Sequence, residues 1–270
     1  MKKALVYMVV CVILFMSLIP FLWFVNTSLK STVEITTIPP VLFPAGTLES
    51  YRSAIDEYNL LHFVRNSLIV ASITTVVTIL ISIVTGYAIA RLRFAYKGLF
   101  MGSLLVVSMF PQISIAGPVW RILQHLGWLN SYQGLIIPYI TLTLPLGVWI
   151  LASFFKELPP ELEAAARVDG CSHAQTLFRI IVPLSAPGVF TAAILVFIYA
   201  WNEFFFALLI MTQQDYQTLP VGIALFQGQY TMPWGEIAAA STVSTVPLVL
   251  MVFIFQKRII SGLTAGAVKG

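Results

Sequence analysis

Six apolar runs, at about 5–25, 67–90, 99–120, 134–155, 186–211 and 237–256, constrain this chain more than any other feature. Each is near the roughly 20 residues that cross a bilayer as an α-helix. Backbone polar groups in lipid must be paired within their own segment or around a closed barrel. A barrel needs ~10-residue strands of strict alternation, a pattern this sequence lacks. The expected fold is an all-α integral membrane protein with six transmembrane helices, forming one continuous domain over residues 1–270. Composition agrees, because only 10% of the residues are charged, whereas a soluble domain carries about 25%.

Lysine and arginine orient the bundle. With the N-terminus in the cytoplasm, Lys2, Lys3, Arg91, Arg93, Lys97, Lys156, Arg167, Arg179, Lys257, Arg258 and Lys269 fall inside. Lys30, Arg52, Arg65 and Arg121 fall outside. The excess supports this orientation, an even helix count and a cytoplasmic C-terminus. The net charge of +4 is modest and does not point to nucleic acid. Cys11 lies in the first apolar run and Cys171 in a polar loop, so no disulfide is expected. His62, His125 and His173 are scattered without metal-ligand spacing. The first segment follows Met1-Lys2-Lys3 and invites a signal-peptide reading, but it is long and has no small-x-small site before Trp23-Phe24-Val25-Asn26. A retained helix is expected. The long outer loop from Asn26 to Arg65 reads as an irregular stretch followed by a short surface helix.

Helix breakers are frequent. Pro111, Gly117 and Pro118 interrupt the third run, Pro138, Pro145 and Gly147 the fourth, and Pro247 the sixth. They fit either ordinary membrane-helix irregularity or helices bent around a pathway.

The inner loop, about 156–185, carries strong helix signals. Pro159-Pro160 suits a first turn, and Glu161 and Glu163 favour the positive end of the helix dipole. Ala164, Ala165 and Ala166 are the best helix formers. Gly170 stands where a left-handed residue ends a helix. Ser172 with Gln175 makes a capping-box pattern for a second helix, which Pro183 is expected to stop. The result is a two-helix knob turning at Asp169-Gly170-Cys171.

The run Glu163-Ala-Ala-Ala-Arg-Val-Asp169-Gly170, nine residues, then Ile180-Ile-Val182-Pro183, resembles the EAA loop of binding-protein-dependent ABC importers. Two positions depart: the family glutamate falls at Ala164, with Glu163 one residue early, and the family leucine is Val182. Asn66-Ser67, Trp201-Asn202-Glu203 and the ending from Gly262 to Gly270 are similar to the maltose-type sugar permease subunits. The resemblance covers nearly the whole chain. It implies a bacterial inner-membrane subunit carrying a sugar or, alternatively, a glycerol-phosphate ester. It also implies a second homologous permease, two cytoplasmic ATP-binding subunits and an extracytoplasmic solute-binding protein. On it, Glu163, Ala164, Ala165, Ala166, Asp169, Gly170, Ile180 and Pro183 form the ATPase-coupling loop. No G-x-x-x-x-G-K-[ST] loop is present, so ATP and Mg belong to partner subunits and this chain is expected to hold no cofactor.

Glu203 is the one acidic residue well inside an apolar run, about 12 Å from its outer end at 1.5 Å per residue. A charge near the bilayer centre costs about 2.5–3.5 kcal/mol and should face the bundle or water. With Trp201 and Asn202 it makes a polar–aromatic cluster, either lining a translocation path or anchoring neighbouring helices. Trp120, Trp128 and Trp234 read as interfacial anchors. An ion-coupled secondary transporter needs several buried titratable groups, and only Glu203 qualifies. A membrane enzyme is disfavoured, because neither G-x-S-x-G nor H-E-x-x-H occurs.

Overall fold

The computed structural model describes residues 2–226 and 232–265. The side chains of Lys2, Lys257, Arg258 and Lys269, and those of the ending from Gly262, lie outside the described residues. The elements in chain order are α1 (Lys2–Ser28), α2 (Thr32–Thr36), α3 (Glu49–Asp56), α4 (Leu60–Arg91), α5 (Lys97–Met109), α6 (Gln112–His125) and α7 (Tyr132–Glu157). There follow α8 (Glu161–Val168), α9 (His173–Thr176), a π-helical turn (Leu177–Ile181), α10 (Val182–Leu184), α11 (Ala186–Asn202), α12 (Phe205–Ile210), α13 (Leu219–Ala224) and α14 (Trp234–Ala265). Among the described residues there is no strand. Four helices are long and apolar enough to cross a membrane, and taking each bent pair as one span gives six.

Two of the six expected spans are not continuous helices. The third is broken into α5 and α6, which meet at 95°. Pro111 has no N–H to donate and pushes Phe110 into extended backbone (φ −70°, ψ 129°), ending α5. The fifth ends at Asn202 rather than running to 211, and Glu203 is extended (φ −67°, ψ 127°) before α12 resumes. Neither proline nor glycine marks that break. The second span begins earlier than expected, at Leu60, after Asn59 in left-handed backbone (φ 56°). Pro138 and Pro145 sit within an unbroken α7, and Pro247 within α14.

The chain divides into two compact units. One contains residues 66–217 and 250–270. Its core joins Ile79, Ile83 and Tyr87 of α4, Leu151 and Phe155 of α7, Leu177 and Ile181 of the π turn, and Ala192 and Val196 of α11. In lipid such packing rests on van der Waals contact between close backbones rather than on expulsion of water. Glycines permit that approach. A Cβ at Gly147 would overlap Ser82, and one at Gly188 would overlap the Phe154 ring. The Thr78 and Thr143 hydroxyls pair at 3.0 Å between α4 and α7, an interhelical bond contributing about 0.6 kcal/mol. At the N-terminal end of α7, Ser131 caps Gly134.

The other unit contains residues 1–65 and 218–249. No residue of α1 from Leu5 to Val25 is buried within the chain. In its last turn, the Ser28 hydroxyl pairs with the Tyr51 hydroxyl at 2.8 Å. Ser31 and Glu34 form a reciprocal capping box at α2. The short surface helix expected in the outer loop is α3, which buries Ser50 and Ala54. Tyr58 stacks on Phe226 with centroids 4.5 Å apart, and the Phe63 ring lies against Gly222, where a Cβ would collide with it.

Candidate coupling and translocation sites

The polar loop folds as the expected two-helix knob. Pro160 precedes α8, and Gly170 takes φ +81° after Asp169. The Cys171 N–H returns to the Ala166 carbonyl at 2.9 Å, closing the C-terminal turn. Ser172 and Gln175 make the predicted capping box of α9. Pro183, expected to stop the second helix, instead lies inside it. The preceding π turn relieves the clash between a proline ring and the carbonyl four residues back. The bend of 81° comes after Leu184.

Burial divides the knob into two faces. Ala164, Ala165, Asp169, Gly170 and Pro183 are exposed, and Ile180 is half-buried. Glu163 and Ala166, one turn apart on the same flank, face inward at 8% and 2% exposure. One residue is a 100° rotation on a helix, so Glu163 is carried off the exposed face that Ala164 occupies. It meets the end of α4 there. Arg91 Nε lies 2.9 Å from Glu163 Oε1, an Arg91 Nη donates to the Leu158 carbonyl, and the Tyr87 hydroxyl donates to Glu163 Oε2 at 3.3 Å. Sequence reasoning counted Arg91 only as an orienting charge. Its only signal was the early glutamate, and Arg167, four residues on in the same helix, offered that glutamate a competing local partner.

Trp201, Asn202 and Glu203 part company. Trp201 is buried and stacks on Phe197 with centroids 5.7 Å apart. Asn202 is exposed, its Nδ2 donating to the Ile198 carbonyl at 2.8 Å. Glu203 is buried. Its carboxylate accepts the Phe206 N–H at 2.9 Å and the Ala207 N–H at 3.2 Å, capping α12. It also accepts the Tyr139 hydroxyl of α7. Bonds to a charged group contribute about 1.5–3 kcal/mol each, enough together to offset the insertion penalty.

Both chain breaks open on one cleft of about 440 Å³, lined by Gln112, Ile198, Tyr199, Asn202, Glu203, Phe204 and Phe205. Gln112 Nε2 donates to the Tyr199 hydroxyl at 2.6 Å. Amide, phenol and aromatic groups of this kind suit a polyhydroxylated ligand. Asn66, singled out in the sequence for its likeness to the permease subunits, is fully buried within α4. Its Nδ2 donates to the Asp215 and Gln217 carbonyls, each at 2.9 Å, and its Oδ1 accepts the Tyr132 hydroxyl at 2.7 Å.

Residues 78–264 match the family described as binding-protein-dependent transport system inner membrane component. The chain is 48% identical to the trehalose/maltose transport system permease protein MalG of Thermococcus litoralis, over 94% of this chain and 92% of that protein. It is 44% identical to the sulfoquinovosyl glycerol transport system permease protein SmoH of Agrobacterium fabrum, over 99% and 94%. It is 43% identical to the trehalose transport system permease protein SugB of Mycobacterium tuberculosis, over 94% and 93%. A solved bacterial ABC transporter that imports the acidic polysaccharide alginate shares the fold, with a TM-score of 0.80 at 20% identity over 96% of both chains.

Proposed function

The chain belongs to the family of binding-protein-dependent transport system inner membrane components, and on that premise we propose that it is the permease subunit through which an ATP-driven importer passes a saccharide across the bacterial cytoplasmic membrane. Relatives named for trehalose, maltose and a sulfoquinovosyl glycoside support a glycoside cargo over a glycerol-phosphate ester. The ion-coupled alternative is disfavoured by the match to a binding-protein-dependent transport family, and the hydrogen bonds of Glu203 give it a structural role.

The subunit works with a second homologous permease, two cytoplasmic ATPases that hold ATP and Mg, and a solute-binding protein outside. Both its termini lie in the cytoplasm. Ala164 and Ala165 present small side chains to an ATPase groove, and Ala166 and Glu163 seat the knob on the bundle. Movement of the knob passes into α7 and α11, to which it is joined in the chain. It also passes into α4 through Arg91, and this contact carries the proposal. The cleft at the α11–α12 break is the stretch of path this chain contributes. The test is uptake of labelled trehalose or maltose by proteoliposomes holding the four-chain complex. Uptake should need ATP on the knob side and the binding protein on the other. Uptake by this chain alone, without a nucleotide hydrolase, would overturn the proposal.

A further inference from the structure

The unit of residues 1–65 and 218–249 holds a second cavity, of about 560 Å³, lined by Trp23, Thr27, Lys30, Glu34, Trp234 and Ser241 among others. Lys30 is only 4% exposed. Its Nζ lies 4.7 Å from the centre of the Trp23 ring. Among the described residues no carboxylate forms an ion pair with it. A cation desolvated to this degree needs an anion, and a single cation–π contact contributes only about 0.5–2 kcal/mol. Glu34 supplies an opposite charge on the same wall. It is tied in place by the Ser31 N–H at 2.9 Å and the Ala45 N–H at 3.0 Å. The Ser31 backbone bond chiefly lowers its pKa, so the group stays ionised at neutral pH.

The cavity lies at the end of α1, whose apolar residues from Leu5 to Val25 are exposed. Trp23 and Trp234 are 46% and 57% exposed beside it, the placement of aromatic residues at a membrane–water boundary. A fixed cation and a fixed anion, two hydroxyls and a long apolar flank match a zwitterionic lipid better than a sugar, which needs a dense set of hydrogen bonds.

We infer that this cavity binds the headgroup of a phospholipid with a primary amine, the phosphatidylethanolamine class, with its phosphate on Lys30, its ammonium toward Glu34 and its acyl chains along α1. The lipid would hold the outer end of α1 at a fixed depth while the rest of the bundle moves.

The test uses the intact importer complex, exposed in detergent to vesicles of phosphatidylethanolamine, phosphatidylglycerol or phosphatidylcholine, with retained lipid counted by native mass spectrometry. One phosphatidylethanolamine should remain per copy of this chain, with about tenfold less retention of the other two. Lys30→Met should lose that molecule, and Glu34→Gln, which keeps an oxygen for the cap, should retain phosphatidylglycerol as well as phosphatidylethanolamine. Complex assembly and melting temperature, measured alongside, separate lipid loss from unfolding. If Lys30→Met does not assemble, the Glu34→Gln result decides by itself. Equal retention of all three lipids by the wild type would overturn the inference. So would unchanged selectivity in Glu34→Gln, or displacement of the lipid by millimolar inorganic phosphate, which would mark a simple anion site.

Discussion

Arg91, the last residue of α4, places its Nε 2.9 Å from Glu163 Oε1 in the first turn of α8, with both side chains only about a tenth exposed. A helix that has no covalent link to the knob is thereby fastened to it. Breaking such a pair leaves a desolvated charge and costs about 3–5 kcal/mol. Arg91→Ala and Glu163→Gln should therefore each lower ATP-driven uptake at least tenfold while the complex still hydrolyses ATP. The charge-swapped double variant, Arg91→Glu with Glu163→Arg, should recover part of that loss. Parallel measurement of uptake and hydrolysis in proteoliposomes checks this. Uptake and hydrolysis falling together would show a knob that no longer docks.

Neighbouring alanines should behave oppositely toward the ATPase. A cysteine at Ala165, on the exposed face, should cross-link to the ATPase surface in the assembled complex. A cysteine at Ala166, which is 2% exposed, should not. Cross-linking at both sites, or at neither, would contradict the two-faced knob.

Glu203 should prove to be an anchor more than a ligand. Glu203→Ala strips the cap from α12 and leaves the Tyr139 hydroxyl buried without its acceptor. It should destabilise the complex by about 2–4 kcal/mol. Glu203→Gln keeps an acceptor and should lose about half as much. Asn202→Ala, beside it in the cleft, should leave the melting temperature unchanged and raise the KM for sugar severalfold. Thermal unfolding and uptake kinetics on the three variants distinguish the roles.

The turn of the knob depends on Gly170 at φ +81°. Any residue with a Cβ is strained there, so Gly170→Ala should cost about 1 kcal/mol. It should reduce coupling without affecting membrane insertion, read as lowered uptake at normal abundance in the membrane.

Hydropathy alone makes the helical class and the apolar spans legible, because lipid leaves few alternatives for a backbone. The knob is legible for another reason: capping and glycine signals are local, and Ser172, Gln175 and Gly170 act within one turn of themselves. The break at Glu203 is not legible. Its cause is a carboxylate that reaches forward to the N–H groups of Phe206 and Ala207 and across to Tyr139, 64 residues away, and no propensity records that. Pro111 and Pro138 show the same limit, since one breaks a helix and the other does not. What differs is the surroundings: Phe110 and Pro111 are exposed, whereas Leu135, Ile136 and Tyr139 beside Pro138 are buried. The roles of Arg91 and Asn66 likewise depend on partners 72 and about 150 positions away.

The elbow between α5 and α6 has one more consequence. Helices of 13 and 14 residues reach only about 20 Å each, short of a ~30 Å hydrocarbon layer. At a right angle neither makes a full crossing alone, so the two serve together as one bent span, and the peptide groups at the corner lack helical partners. Hydrocarbon does not tolerate bare amides, so this corner must face protein or a watery cavity, whereas Glu203 itself caps the N–H groups after the gap before α12. The elbow therefore turns toward the cleft that Gln112 lines rather than toward lipid.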